Sequence, residues 1–424
     1  MHQNHMNKFI SYLSVIAVMF FSYIPFLYFF SIIKIEKYLI FILLISAILI
    51  LTLFSFTGQI LRGKIKFSQL NITALYLYML FAIYALIRCF LTGETLNDLF
   101  TIRTLILVNP VFVILALLCL QNKKDVIRMI TLLSGSYFIF LVVSFIRGNI
   151  SLSSSSFQSI FIDMEGDFYQ NINMYLGLFA ICNISLLSSK KNYISKIPKI
   201  LIPLSIIGML FIGGRGAIVA ITAVLLIYFF KESTTWSFKI SDTLKQMILI
   251  FTLVLLLIFY FAEITKLFND SVTLRRFIVL TEEGDSSKRI FLFSKALELF
   301  FSDIRTLLFG AGINSFPVYI GADSRGGYPH NIVLELLAEY GIIGTIFFTI
   351  PAIYVISIRK KILGSIYGNR AEEKIIFFPF IYFLVIHFFS GGLRNSWVLI
   401  FYLFLLLPSQ NDVQIYSNKE RVGQ

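Results

Sequence analysis

The residues of this chain that could do chemistry include two arginines, each at the predicted start of an apolar helix. Arg215 follows Gly213-Gly214, and Arg289 follows two serines that can cap a helix. A helix start offers free backbone N–H groups and a positive dipole end, and arginine binds phosphate through two N–H groups at once. We therefore predict that Arg215 and Arg289 bind one phosphate-bearing ligand. Structural roles are the alternative: Arg215 caps a glycine break, and Arg289 extends to water.

A histidine stands at a third predicted helix start. In Tyr328-Pro329-His330-Asn331, the proline disfavours helix before it and Asn331 is a good cap for the apolar helix that follows. The ordinary imidazole pKa of about 6.5 suits a general base. We predict that His330 activates or orients an acceptor hydroxyl and that Asn331 caps the helix or contacts a sugar. A purely structural histidine remains the alternative.

Further charged residues accompany these three. Glu335 and Glu339 share one helix face near the predicted outer surface, where they would orient His330, bind a sugar hydroxyl or pair with basic residues. Two acidic clusters in outer loops could hold a divalent cation, but solvated acidic loops are the commoner explanation, so we predict no metal. Four more arginines are predicted to bind anionic parts of the substrate: Arg275, Arg276, Arg305 and Arg325.

The composition says where such a site must lie. Of the 424 residues, 58% are hydrophobic and 14% are charged, against about 25% charged in a typical soluble protein. This excludes a soluble enzyme, a disulfide scaffold, a disordered chain and a repeat solenoid. The net charge of +13 is spread over loops between apolar runs, which indicates membrane orientation rather than nucleic-acid binding. The chain is predicted to be an all-α polytopic membrane protein.

About twelve transmembrane helices are predicted from runs of about 20 apolar residues. Two of them meet at the glycine break within 200–230. The others lie near 9–33, 38–57, 69–91, 105–120, 126–146, 169–188, 246–264, 332–358, 375–390 and 397–408. This gives nine helices in 1–264, a long outer loop at 265–331, three helices in 332–408 and a cytoplasmic tail at 409–424.

The basic residues set the predicted orientation. With both termini in the cytoplasm, 21 Lys and Arg lie inside and seven outside, when the long loop is left aside. Residues 265–330 form a basic periplasmic loop whose length needs a functional reason. Apolar residues at 290, 293, 297 and 300 have helical spacing there and predict an amphipathic helix on the outer membrane surface. His387, within a span, is predicted to pack and to bond a neighbouring helix.

The motifs together are similar to one family. Over about residues 200–345, the chain resembles the O-antigen polymerase and O-antigen ligase superfamily of bacterial envelope biosynthesis. The likeness rests on Gly213-Gly214-Arg215-Gly216-Ala217, on Ser287-Lys288-Arg289 followed by Gly310-Ala311-Gly312, and on the run from Pro329-His330-Asn331 to Gly344. The N-terminal half contributes only its predicted topology.

The resemblance implies an activity. It implies an inverting glycosyltransferase of the inner membrane that takes a glycan from undecaprenyl pyrophosphate at the outer face, with no cofactor. The implied partners are the bilayer, lipid-linked oligosaccharides as donor and acceptor, and a chain-length regulator. A polymerase of repeat units is favoured over a ligase that uses lipid A core as acceptor. A transporter of lipid-linked glycans is the alternative from another class, although we find no internal repeat of the kind common in transporters.

Overall fold

The computed structural model describes residues 68–92, 105, 108–120, 123–146, 168–187, 192–212, 215–235, 286–322, 327–365 and 371–422. All regular structure in these residues is helical, as predicted. The α-helices are α1 (Gln69–Thr92), α2 (Asn109–Cys119), α3 (Lys123–Ile146), α4 (Phe168–Leu187), α5 (Asn192–Ile212), α6 (Arg215–Thr235), α7 (Ser286–Phe300), α8 (Ile304–Phe309), α9 (Ser315–Tyr319), α10 (Ile332–Leu363), α11 (Ala371–Phe389), α12 (Trp397–Leu405) and α13 (Gln410–Val422). The predicted spans at 9–33, 38–57 and 246–264 lie outside the described residues.

The chain divides into two compact units. The first comprises residues 1–133 and 286–424, and the second comprises residues 134–285. In the first unit, α10 packs against α1, α7, α8 and α11. In the second unit, α4 packs against both α5 and α6. The predicted helix pair around the glycine break is confirmed, because α5 ends at Ile212 and α6 begins at Arg215.

The helices α1 and α10 are the described helices long and apolar enough to cross a membrane. They run antiparallel, since the Tyr354 hydroxyl donates to the Leu70 carbonyl while Phe81 packs on Tyr340 at 5.7 Å between ring centroids. Asn331 caps the start of α10, and Gly364, with φ 70°, adopts the left-handed conformation that terminates it. The helix is interrupted once, at Gly341, whose φ of 66° and ψ of −170° are not helical.

The predicted last span at 397–408 is corrected by the structure. Helix α12 has nine residues and is about 14 Å long, less than half of the ~30 Å hydrocarbon core. All nine residues are buried. Trp397 lies 4.9 Å from Phe112 of α2 between ring centroids, and Asn109 donates to the Ser396 hydroxyl at 2.9 Å. Helix α12 is therefore a short core helix held against α2.

The amphipathic helix predicted in the long loop is present as α7. Ile290 and Leu297, on the side predicted to face the membrane, are 63% and 41% exposed, and their contact with a membrane stays a prediction. A second side of the helix includes Ala296 and Leu299, which pack in a core cluster with Phe316 and Ala338. The helix has apolar residues on two opposite sides, so its spacing alone does not identify the side that packs against α10.

Candidate active site

Asn331 caps the start of α10, as predicted. Its side-chain oxygen accepts from the backbone N–H groups of Val333 and Leu334 at 2.9 and 3.1 Å. These bonds satisfy two of the N–H groups that a helix start leaves without partners. The amide nitrogen of the same side chain donates to the Phe388 carbonyl, at the end of α11, at 3.0 Å. Asn331 therefore joins the start of one helix to the end of another.

His330 stands directly before this cap in a left-handed conformation, with φ 56°. Histidine tolerates this conformation better than most residues, but it still costs about 1–3 kcal/mol. The ring lies 4.0 Å from the Tyr328 ring between centroids. The Nδ1 atom is buried and has no hydrogen-bond partner among the described residues. The strained backbone thus holds an imidazole with one nitrogen unused.

The surroundings of His330 change its acidity. Burial lowers the pKa of His330 below its usual value, and the nearby positive charge of Arg289 lowers it further. The backbone of Ser390 acts in the opposite direction and is the weaker influence. Nδ1 has no hydrogen-bond partner among the described residues, so its lone pair is available in the tautomer that carries the proton on Nε2. A neutral imidazole with a free lone pair is the form that a general base requires.

Arg289 approaches the same place from the first turn of α7. Its Nη1 donates to the Phe389 carbonyl at 2.8 Å. No carboxylate of the described residues forms an ion pair with it. A guanidinium carries five N–H donors in a fixed plane. The N–H groups of Arg289 other than the one bonded to Phe389, and its positive charge, which no described carboxylate compensates, make it suitable for an anionic ligand.

The end of α11 receives all these contacts, which the sequence interpretation missed. Consecutive carbonyls of Phe388, Phe389 and Ser390 accept from Asn331, Arg289 and Tyr328, the last through its hydroxyl at 3.3 Å. A helix leaves its last carbonyls without intrahelical partners and carries a negative dipole end there. The end of α11 therefore attracts donors and cations from two other segments. Gly391-Gly392 after an apolar run was the available signal for it.

The two predicted acidic residues are buried inside the protein. Glu335 and Glu339 are 5% and 3% exposed. The Glu335 Oε2 atom accepts from the backbone N–H of Leu393 at 2.9 Å. Their roles toward a sugar hydroxyl stay predictions, but the contact with Leu393 is a structural one.

The glycines after α8 allow a close backbone approach to α10. The N–H groups of Ala311 and Gly312 donate to the Ala338 and Glu339 carbonyls at 2.9 and 3.0 Å. These bonds form beside the interruption of α10 at Gly341. A Cβ atom at Gly310 or Gly341 would collide with the facing backbone, and both residues have positive φ. This explains the glycines without assigning them to a ligand.

Two residues of α1 that the sequence interpretation did not select hold this segment. Arg88 donates to the Gly310 carbonyl at 2.5 Å, and the Tyr84 hydroxyl lies 3.0 and 2.9 Å from the Phe309 and Tyr340 carbonyls. Arg88 is 5% exposed. A buried arginine in an apolar helix is costly unless it has a partner, so its position in the sequence was a signal.

A comparison with known families matches one segment of the chain. Residues 200–349 match the O-antigen ligase family model. The match confirms the resemblance found from the motifs at about 200–345. The family is a polytopic membrane family that transfers lipid-linked glycans in surface polysaccharide assembly. No curated protein matches the chain.

The segment matched to O-antigen ligase contains Arg215, Arg289, His330 and Asn331, but not the end of α11. Arg215 is the first residue of α6 in the second unit, and its role stays a prediction. Arg305 is exposed on α8.

The described residues include no group of three His, Cys, Asp or Glu that could hold a metal. Three predicted arginines and both acidic clusters lie outside the described residues: Arg275, Arg276, Arg325, Asp163, Glu165, Asp167, Glu282, Glu283 and Asp285.

His387 is buried, as predicted, at 2% exposure. Its two contacts are with its own helix and with the short 3-10 helix that follows it, rather than with another long helix. Its Nδ1 lies 2.7 Å from the Phe383 carbonyl of its own helix, and its Nε2 lies 3.2 Å from the Asn395 carbonyl in the short 3-10 helix that follows. His387 therefore packs inside the turn and has no place in the candidate chemistry.

Proposed function

We propose that this protein is an O-antigen polymerase, which joins repeat units carried on undecaprenyl pyrophosphate at the outer face of the inner membrane. The observation that carries the proposal is the pairing of Arg289 with His330 at the start of α10, within the matched family segment. A cation and a neutral base in one place suit the transfer of a sugar from a phosphate leaving group to a hydroxyl.

The leaving group determines the role of Arg289. The C1–O bond between the donor sugar and the pyrophosphate breaks, and the bonding electrons stay on the pyrophosphate oxygen. Arg289, with donors to spare beyond its bond to Phe389, meets this new charge. One cation at 4 Å contributes about 4 kcal/mol at an effective dielectric constant of 20. Arg215 is proposed to act on the same pyrophosphate.

The acceptor determines the role of His330. Its Nδ1 takes the proton of an acceptor sugar hydroxyl while that oxygen attacks C1 from the side opposite the pyrophosphate, so the configuration inverts. A buried acceptor atom without a partner costs about 1–3 kcal/mol, which a donating hydroxyl would recover. Because Nδ1 is buried here, acceptor binding must include a rotation of the imidazole. The proton then passes from His330 to water.

The topology proposed for this reaction places the site in the periplasm and both termini in the cytoplasm. The charge distribution along the sequence supports it. Single cysteines at positions 215, 289 and 330 should react with a membrane-impermeant thiol reagent added to spheroplasts. A cysteine introduced in α13, such as Ser417→Cys, should react only after permeabilisation. Labelling of position 289 or 330 only from the inside would contradict the proposed site.

A ligase is the second candidate, because the matched family model is described as O-antigen ligase. Deletion of the gene separates the two. Loss of a polymerase leaves lipid A core capped with one repeat unit and no ladder of longer chains. Loss of a ligase leaves bare core, with polymer accumulating on undecaprenyl pyrophosphate. His330→Ala should behave like the deletion, whereas Glu298→Gln, an exposed residue paired with Lys295, should restore the wild-type pattern.

A further inference from the structure

The turn after α11, residues 388–393, has no assigned role in the proposed chemistry. It lies beyond the segment matched to the family. Yet it contacts the residues around which the chemistry is assigned: the Phe389 carbonyl accepts from Arg289, and the Ser390 carbonyl accepts from Tyr328, whose ring lies 4.0 Å from the His330 ring between centroids. We call these six residues the α11 turn. Their placement determines where the cation and the base of the site stand.

Local bonds and two glycines shape the α11 turn. The backbone N–H groups of Ser390 and Gly391 both donate to the Ile386 carbonyl, at 2.7 and 3.0 Å, which ends the helix tightly. A Cβ atom at Gly391 would lie 2.8 Å from the His387 ring. A Cβ atom at Gly392 would lie 2.6 Å from Glu335 Oε2 and 3.1 Å from the Tyr328 ring. All of these distances are shorter than ordinary van der Waals contacts, so the turn requires glycine at positions 391 and 392.

Glu335 holds the far end of the turn. Its carboxylate accepts the Leu393 N–H at 2.9 Å, and both residues are buried, at 5% and 0% exposure. A hydrogen bond to a charged acceptor in a buried place is one of the stronger kinds. Glu335 belongs to α10, one turn after the Asn331 cap. The turn is therefore fixed to the same helix that carries His330 at its start.

We propose that Glu335 is a positioning residue, which holds the α11 turn through Leu393 so that the Phe389 carbonyl orients Arg289 and the Ser390 carbonyl, through Tyr328, orients His330. This inference rests on the proposed function of these two residues. In this role Glu335 needs an oxygen atom that accepts the Leu393 N–H, and it does not need a negative charge. It also makes the α11 turn part of the site, although the turn lies 39 residues past the end of the matched segment.

The test compares Glu335→Gln, Glu335→Leu and Gly392→Ala. Glutamine keeps an oxygen that can accept the Leu393 N–H, and leucine keeps the size of the side chain without an acceptor. Alanine at position 392 places a Cβ atom too close to Glu335 Oε2 and displaces that carboxylate. Rates of polymer formation are measured in membranes that contain lipid-linked repeat units, per amount of folded protein, with the donor varied. We expect Glu335→Gln to keep most of the rate. The other two should lose about ten- to a hundredfold at saturating donor, as misplacement of about 1 Å does.

Matched controls separate this inference from the proposed function. Glu298→Gln, which removes an exposed carboxylate, should leave the rate at the wild-type level. Arg289→Ala and His330→Ala are measured in parallel, and if both stay active the proposed function fails. If both are inactive but Glu335→Gln is as slow as Glu335→Leu, Glu335 acts through its charge and the inference is overturned. Full activity of Gly392→Ala would overturn the inference as well. This result does not depend on whether the Glu335→Leu variant folds.

Discussion

Near each end of α10 an arginine donates to a carbonyl at the end of another helix, Arg289 of α7 at one end and Arg359 of α10 itself at the other, but the two arginines differ in charge compensation. Near the start, Arg289 donates to Phe389 at the end of α11. Near the end, Arg359 donates to Leu406, just after α12, at 2.8 Å. Arg359 is fully buried and also pairs with Glu373 at 2.7 Å. Arg289 is half-buried, and none of the described carboxylates neutralises it.

The difference gives a criterion that separates a structural arginine from one proposed to act on a substrate. Removing a charge from water costs several kcal/mol unless a partner compensates, so a buried arginine without function needs a carboxylate such as Glu373. Arg289 keeps its charge available beside a base. We infer that the fold uses the same contact, guanidinium to helix end, for support at one end of α10 and for chemistry at the other.

The largest effect is expected at Arg289. Arg289→Ala removes about 4 kcal/mol of stabilisation of the leaving group, or about a thousandfold in rate. Arg289→Lys should recover little of it, since an ammonium cannot replace the planar fork. Polymer formation in membranes measures both variants, with the amount of protein checked by immunoblot. Near-normal activity of Arg289→Ala would contradict the chemical role proposed for Arg289, and with it the contrast to the structural role of Arg359.

At the other end, stability should change instead of chemistry. Arg359→Ala leaves Glu373 buried without its partner and should cost about 3–5 kcal/mol of folding free energy. The double variant Arg359→Met with Glu373→Leu should cost far less, because both charges leave together. Thermal unfolding in detergent measures the stability, and the rate per folded molecule should stay normal in the double variant. A rate loss equal to that of Arg289→Ala would show that Arg359 is not merely structural.

A smaller effect concerns pH. Because burial and the charge of Arg289 lower the pKa of His330, the base stays neutral to lower pH than an ordinary histidine. The rate should therefore fall on acidification with a midpoint below about 6.5. The Arg359 and Glu373 double variant should keep this midpoint, since it alters the far end of α10. A midpoint at or above the ordinary value in the wild type would argue against His330 as the base.

The smallest effect is expected at Asn331. Asn331→Ala removes the cap of α10 and should cost about 1 kcal/mol. Asn331→Ser keeps a cap but loses the donor to Phe388, so it should recover most of the stability. Thermal midpoints of the purified variants measure the difference. Equal destabilisation by alanine and serine would show that the bond to α11, rather than the cap, supports this end.

The sequence allowed prediction of local features and failed for distant contacts. The Asn331 cap follows from a polar residue between a proline segment and an apolar run, and it is present. The side of α7 that packs inside the protein could not be predicted, because apolar residues lie on both of its sides and the packed side includes Ala296 and Leu299. The bond from Glu335 to Leu393 joins residues 58 apart in sequence, and spacing within one helix carries no information about it.

The interruption at Gly341 also sets a distance. In a bilayer, the 22 residues of α10 after Gly341 rise about 33 Å, close to the ~30 Å thickness of the hydrocarbon core. The nine residues before Gly341 then extend up to about 14 Å beyond it. In this placement His330 stands beyond the hydrocarbon core, on the side where the proposed donor would present its pyrophosphate. The polyprenyl chain of that donor would then stay in the bilayer while its pyrophosphate meets the proposed site.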